Sequence, residues 1–139
     1  MANPTVTPAD VLPSASGTPV RVTWGATVTQ GAIVYKDPAT NTWKLAQCDG
    51  TAIEAGSSGI GIALTGGSSG QTGLITTRDA AIDPGFTATK AVIYVVSATA
   101  GAPGLHSDLV STNRLTILGI GTTATLLNFD PIVTGEALT

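Results

Sequence analysis

The chain has 139 residues, a net charge of −3, and 11% charged against 42% hydrophobic side chains. Its basic residues, Arg21, Lys36, Lys44, Arg78, Lys90 and Arg114, are scattered, so no positive footprint exists to neutralise nucleic-acid phosphates or to hold an anionic membrane surface. A single cysteine, Cys48, excludes an intrachain disulfide, and no stretch reaches the roughly 18 apolar residues of a membrane helix.

The length suits one domain, or one small domain with ordered arms. Few charges imply a surface of Thr, Ser, Ala and Gly, which suits a protein that lies against other subunits. Met1 to Thr5 carry neither a basic nor an apolar stretch, so no signal peptide is expected and synthesis is assigned to a cytoplasm.

Residues 1–19 hold Pro4, Pro8, Pro13 and Pro19 among small polar residues. Proline removes amide donors and turns the preceding residue away from helix, so the segment is expected to be an extended arm. Its large apolar residues, Val6, Val11 and Leu12, are too few for a core. The arm either stays disordered or orders on a neighbouring subunit.

From Val20 the pattern becomes that of strands. Val20, Val22 and Trp24 alternate with Arg21 and Thr23, the period of a half-buried strand. Ala32 to Tyr35 and Trp43 to Leu45 flank Asp37-Pro38-Ala39-Thr40-Asn41, which predicts a hairpin. Thr51 and Glu54 fit a capping box, but Gly56 limits it to one turn. Gly59 to Leu64, Thr72 to Thr77, Ala91 to Val96, Arg114 to Ile120 and Ala124 to Phe129 complete the expected strands, with Asp83-Pro84-Gly85 read as a turn. Ala91 to Val96 is the most apolar strand and is placed centrally.

An internal echo runs through this layout. Val34-Tyr35, Leu45 and Gly59-Ile60-Gly61 align with Ile93-Tyr94, Leu105 and Gly119-Ile120-Gly121 at an offset of roughly 60 residues, too few units for a solenoid. It suggests a barrel or sandwich of two similar halves. Glycine inside a strand marks a bulge, a tight corner or close backbone approach, and tight barrel corners are expected here.

Each chemistry-bearing motif has a simpler structural account. His106, the sole histidine, is followed by Ser107 and Asp108, whereas a catalytic triad assembles from separate segments; a solvated loop histidine is expected. One His and one Cys cannot complete a zinc site. Asp79 and Asp83 could share a calcium ion, but acids beside Pro84-Gly85 are ordinary turn residues. The glycines from Gly66 to Gly73 lack the lysine of a phosphate loop, with Gln71 after Gly70, and Gly59-Ile60-Gly61 opens no helix. Trp24, Trp43, Tyr35 and Tyr94 could stack sugars, but their strand settings predict a core position, least firmly for Trp43. No cofactor, metal or catalytic residue is expected, and the chain is read as non-enzymatic.

Three stretches carry a likeness. The first is Gly31 to Tyr35 followed by Trp43-Lys44-Leu45-Ala46. The second is Gly59 to Leu64 leading into Gly70-Gln71-Thr72-Gly73. The third is Val92 to Ser97, Ala100 to Leu105, Leu118 to Gly121 and Leu126 to Pro131. Together they resemble the small capsid decoration (cement) proteins of tailed bacteriophages, including those with a β-tulip-like or small-barrel fold. The resemblance implies an all-β barrel or sandwich at 20–131, an extended N-terminal arm at 1–19 and a C-terminal tail at 132–139. It implies a homotrimer that stabilises the phage head by binding the outer surface of the major capsid protein shell, on the virion after synthesis in the host cytoplasm. By analogy the arm, through Pro4, Val6, Pro8, Val11, Leu12 and Pro13, would augment an edge strand or lie in a groove between capsomers. The alternatives are a head-fibre or tail structural protein and, in a different class, a carbohydrate-binding β-module.

Overall fold

A computed structural model describes residues 3–138; Met1, Ala2 and Thr139, which belong to the expected arm and tail, lie outside the described residues. It contains eleven strands: β1 (Val11–Leu12), β2 (Pro19–Thr23), β3 (Ile33–Asp37), β4 (Thr42–Leu45), β5 (Ile60–Ala63), β6 (Thr72–Thr76), β7 (Asp79–Pro84), β8 (Ile93–Val96), β9 (Pro103–Leu105), β10 (Arg114–Gly121) and β11 (Leu127–Ala137). Two short 3-10 turns, Pro8–Asp10 and His106–Asp108, accompany them. The strands form two antiparallel sheets, ordered β2-β6-β5-β3-β4 and β1-β7-β11-β10-β8-β9. The fold is all-β, as the alternation and turn spacing predict.

The first sheet rolls up on itself. The alternating residues Val22 and Trp24 point to one face, where Val28, Val34, Trp43, Ala63 and Ile75 join them in a closed apolar cluster. Its two edges meet: Trp24 bridges Trp43 in parallel, and the Gly25 amide donates to the Trp43 carbonyl at 2.8 Å. A five-stranded interior is narrow, and Trp24 fills it completely, with no exposed surface. The glycines make the room. A Cβ on Gly73 would overlap the Trp24 indole, and one on Gly67 would stand 2.8 Å from its Cδ1.

The outer face of this small barrel packs against the second sheet. Ile33, Tyr35, Cys48, Ile60 and Ile62 on one side meet Ile82, Phe86, Tyr94, Val96, Leu118, Leu127 and Phe129 on the other. Phe86 and Tyr94 rings lie 5.0 Å apart and tilted, and the Tyr94 hydroxyl accepts the Thr89 amide at 2.9 Å. Burial pushes the Cys48 thiol above its ordinary pKa, with neighbouring Asp49 adding to the shift.

The internal echo is a duplication of topology. The order β2-β6-β5-β3-β4 repeats as β7-β11-β10-β8-β9, with β1 added outside β7. Registers match: Ile33 pairs with Ile62 and Val34 with Gly61, while Ile93 pairs with Ile120 and Tyr94 with Gly119. Three backbone hydrogen bonds also recur. Gly31 N to Ala63 O, Ala32 N to Thr29 O and Ala63 N to Ala32 O correspond to Ala91 N to Gly121 O, Val92 N to Thr89 O and Gly121 N to Val92 O. Gly31 and Ala91 both sit at positive φ, 89° and 67°. Structure therefore aligns Gly61, not Gly59, with Gly119. The difference comes from the connection, which is two positions shorter from Ile93 to Ile120 than from Ile33 to Ile62; β10 also carries a register shift between Ile117 and Gly119. Gly119 serves that shift, since a Cβ there would overlap the Asn128 carbonyl; bulge and close approach, rather than corner bending, account for these glycines.

Two expectations are corrected. Asp83 and Pro84 still belong to strand β7, so the expected turn begins one step later, at Gly85 with φ 81°, where the Gly85 amide donates back to Asp83 Oδ1. Asp79-Ala80-Ala81 has weak strand propensity; pairing with β1 and β11 makes it extended. β9 supplies the second strand of the repeated unit at Leu105, where the echo of Leu45 places it, and Pro103 suits its position at the sheet edge. Residues expected as a tail from 132 continue β11 to Ala137, because Ile132 and Val133 pair with Ile117 and Thr116 and Arg114 Nη1 donates to the Gly135 carbonyl at 2.8 Å. Pro131 is tolerated because β7 pairs with β11 only as far as Phe129. The capping box forms as expected: the Glu54 amide donates to Thr51 Oγ1, and the Thr51 amide to Glu54 Oε1.

Gly73→Ala places a methyl group inside the Trp24 ring and should lower stability by about 1–3 kcal/mol, the usual cost of overpacking. Urea denaturation of the variant beside the wild type measures it, with a reduced midpoint as the expected result.

Candidate interaction surface

The Pro-rich segment lies along its own domain as a strap. Asn3 Nδ2 donates to Ser97 Oγ at 2.8 Å, the Thr7 amide to the Gly85 carbonyl at 2.7 Å, and Gln30 Nε2 to the Val11 carbonyl at 3.3 Å. Val11 and Leu12 then pair with Pro84 and Asp83. The prolines leave few amide donors, and those of Thr7, Asp10, Ser14 and Thr18 are used. The strap crosses one turn from each half of the duplication, at Gly31 before β3 and at Gly85 after β7. A Cβ on Gly31 or on Gly85 would stand within 2.8 Å of Val11 Cγ2, so both turns must be bare for the strap to lie down.

The six arm residues expected to make contacts divide in two. Val11 is buried, and Val6 packs against the main core. Pro8, Leu12 and Pro13 are exposed, and Pro4 is half-buried. Pro4, Val6 and Pro8 form one wall of an open groove of about 270 Å³, completed by Ala32, Leu45, Gly101 and Pro103. Among the described residues, Leu12 is the most exposed large hydrophobic one, at 66%. It stands on the edge strand of the six-stranded sheet.

Asp79 anchors the strap's far end. It is fully buried, and its carboxylate accepts the Ser14 amide at 2.7 Å, the Ser14 hydroxyl, the Ser16 hydroxyl at 3.2 Å and the Ala81 amide at 3.0 Å. Burial alone would raise its pKa. The hydrogen bonds, led by the Ser14 hydroxyl, outweigh burial and hold it below the usual carboxylate value.

The residues weighed for chemistry lie apart. Asp79 is engaged by Ser14 and Ser16, while Asp83 Oδ1 accepts the Gly85 amide at 3.0 Å in its own turn. Among the described residues, no group of three or more His, Cys, Asp or Glu is arranged to hold a metal. His106 is exposed on the turn it shares with Ser107 and Asp108. Trp24, Trp43, Tyr35 and Tyr94 are all buried, so none forms an exposed stacking platform. Within the Gly66–Gly73 stretch, Gly67 and Gly73 make room for Trp24, with Gly67 also bridging Val28.

A second surface has no clear signature in the sequence pattern. On the outer face of the six-stranded sheet, Ile93 of β8 stands opposite Ile120 of β10, and Ile117 of β10 opposite Ile132 of β11. Ile93, Ile120 and Ile132 are 37%, 46% and 57% exposed. Its one local signal is the unbroken apolar run Ile93 to Val96, which has no polar alternate and so supplies hydrophobic side chains to both faces.

No family model, curated protein or solved structure matches the chain.

Asp79→Asn should cost about 1–3 kcal/mol, because the side chain loses acceptor capacity for buried donors. Since folding lowers the Asp79 pKa, its contribution is complete above the unfolded value near 3.9 and fades as pH falls through the lower folded value. Urea midpoints measured from pH 7 to pH 2 should therefore fall less steeply on the acid side for the variant.

Proposed function

We propose that the chain is a non-enzymatic virion structural protein that decorates and stabilises a phage capsid, binding the outside of the major capsid protein shell. The observation that carries this reading is the strap. Pro8, Leu12 and Pro13 are presented to solvent from a segment pinned on both sides, by Thr7 to Gly85 and by Ser14 to Asp79. An apolar contact displayed on fixed backbone loses little conformational freedom when it docks.

The sequence resemblance supplies the partner, and the physics supplies the advantage. A shell under internal pressure opens at seams between capsomers. A stiff clip that buries surface across a seam raises the cost of opening it, and many weak copies sum through avidity. The 11% charged fraction fits this role, since few long charged side chains need be ordered or desolvated at the contact. Two valines of the strap, the half-buried Val6 and the buried Val11, act indirectly by fixing the exposed residues.

The test mixes the purified chain with undecorated heads and counts bound copies by electron microscopy. Wild type should decorate the heads, and Leu12→Asp should decorate them with at least tenfold lower affinity while keeping the wild-type unfolding midpoint. Decoration at equal affinity by Leu12→Asp would remove the strap from the contact, and no decoration by wild type would end the capsid reading.

A further inference from the structure

The fold covers one sheet edge and leaves its counterpart bare. β2 in the first half and β7 in the second hold the same place in the strand order. The strap runs antiparallel along the outer edge of β7. Val11 and Leu12 pair with Pro84 and Asp83, the Ala80 amide donates to Ser16 Oγ at 3.1 Å, and the Thr18 amide donates to the Arg78 carbonyl at 3.0 Å. β2 pairs with β6 on one side. On the other it meets β4 at the Trp24–Trp43 bridge, and among the described residues no strand pairs with Pro19 to Thr23 there. The chain thus contains its own example of what such an edge receives, namely an extended segment.

An open groove of about 460 Å³ lies beside this bare edge, between β2 and the β3–β4 hairpin. Val22 and Trp43 give it an apolar part, Asn41 an amide, and Arg21 of β2 and Lys36 of β3 two cations; among the described residues no acid lines it. Arg21 and Lys36 are distant in sequence, and closure of the sheet brings them to one place. Neither has an ion-pair partner among the described residues, whereas Lys44 is paired with Asp37 and Arg78 with Asp130. A bare strand edge presents backbone donors and acceptors, and unpaired cations beside it favour carboxylates. We infer that this groove receives an extended acidic segment of a partner protein, laid antiparallel along β2 as the strap lies along β7.

The acids on this chain's own strands are already committed. Asp37 is held by Lys44, Asp130 by Arg78, Asp79 by Ser14 and Asp83 by the Gly85 amide, and Glu136 stands at the end of β11 that pairs with β10. The segment therefore comes from a different protein. Two cations are too few for a nucleic-acid backbone. Leu12 lies on the other sheet, so this site does not depend on the capsid reading.

Fluorescence anisotropy on the full chain tests it, with a labelled, end-blocked heptapeptide of alternating Glu and Val as the probe. The peptide should bind saturably, and more weakly as salt rises. Arg21→Glu and Lys36→Gln should each weaken binding by about fivefold, as for loss of an exposed ion pair, with far-ultraviolet circular dichroism unchanged; Lys90→Glu, outside the groove, should bind as wild type does. A fully N-methylated form of the peptide should not bind, because strand addition requires backbone hydrogen bonds. Absence of saturable binding, equal binding by Arg21→Glu, equal binding of a Lys–Val peptide, or displacement of the probe by glutarate at the peptide's own concentration would overturn the inference.

Discussion

The burial of one indole ring organises this molecule. Trp24 lies inside a sheet of only five strands, and the sheet closes around it until its edge strands touch. Removing roughly 200 Å² of aromatic surface from water contributes about 5 kcal/mol. The Trp24 indole N–H has no hydrogen-bond partner among the described residues, a cost of about 1–3 kcal/mol. Burial wins, and the glycine at Gly73 lets it win by removing the side chain that would occupy the same space.

Closure around Trp24 makes two halves built to one plan unequal. In the first half the inner face is filled by Trp24, so the sheet becomes a barrel whose outer face needs cover. In the second half Pro84 occupies the position corresponding to Trp24 at the end of the matching strand. That sheet stays open, and its inner face covers the barrel. The far side of the second sheet is covered by the chain itself at Val95 and exposed at Ile93, Ile120 and Ile132. Repetition and closure together decide which of two equivalent faces is buried.

Polar groups in the strap hold the two halves in place. Asp79, buried beneath Ser14 and Ser16, converts a proline-rich segment into an ordered one, and the Thr51–Glu54 capping box shapes the long loop before β5. These contacts are satisfied hydrogen bonds at restrained backbone, and each matters more than the exposed Arg78–Asp130 pair, whose type contributes about 0–1 kcal/mol. The strap thus has one side committed to the fold and one, through Pro8, Leu12 and Pro13, offered to solvent.

Local pattern was enough to determine the all-β class, the hairpin from Ile33 to Leu45, the capping box and the existence of two similar halves, because alternation, turn chemistry and repetition are written in neighbouring residues. Pairing between distant segments decided the rest. Asp79-Ala80-Ala81 becomes a strand only because partners lie beside it, and the chain from 132 extends because β10 continues beneath it. Val6 and Leu12 look alike in sequence, yet one is packed on the core and the other is open to solvent. Likewise Ile33 and Ile93 occupy equivalent positions with opposite fates. Burial is a property of what lies opposite a residue, and only the closed arrangement of both sheets and the strap fixes that.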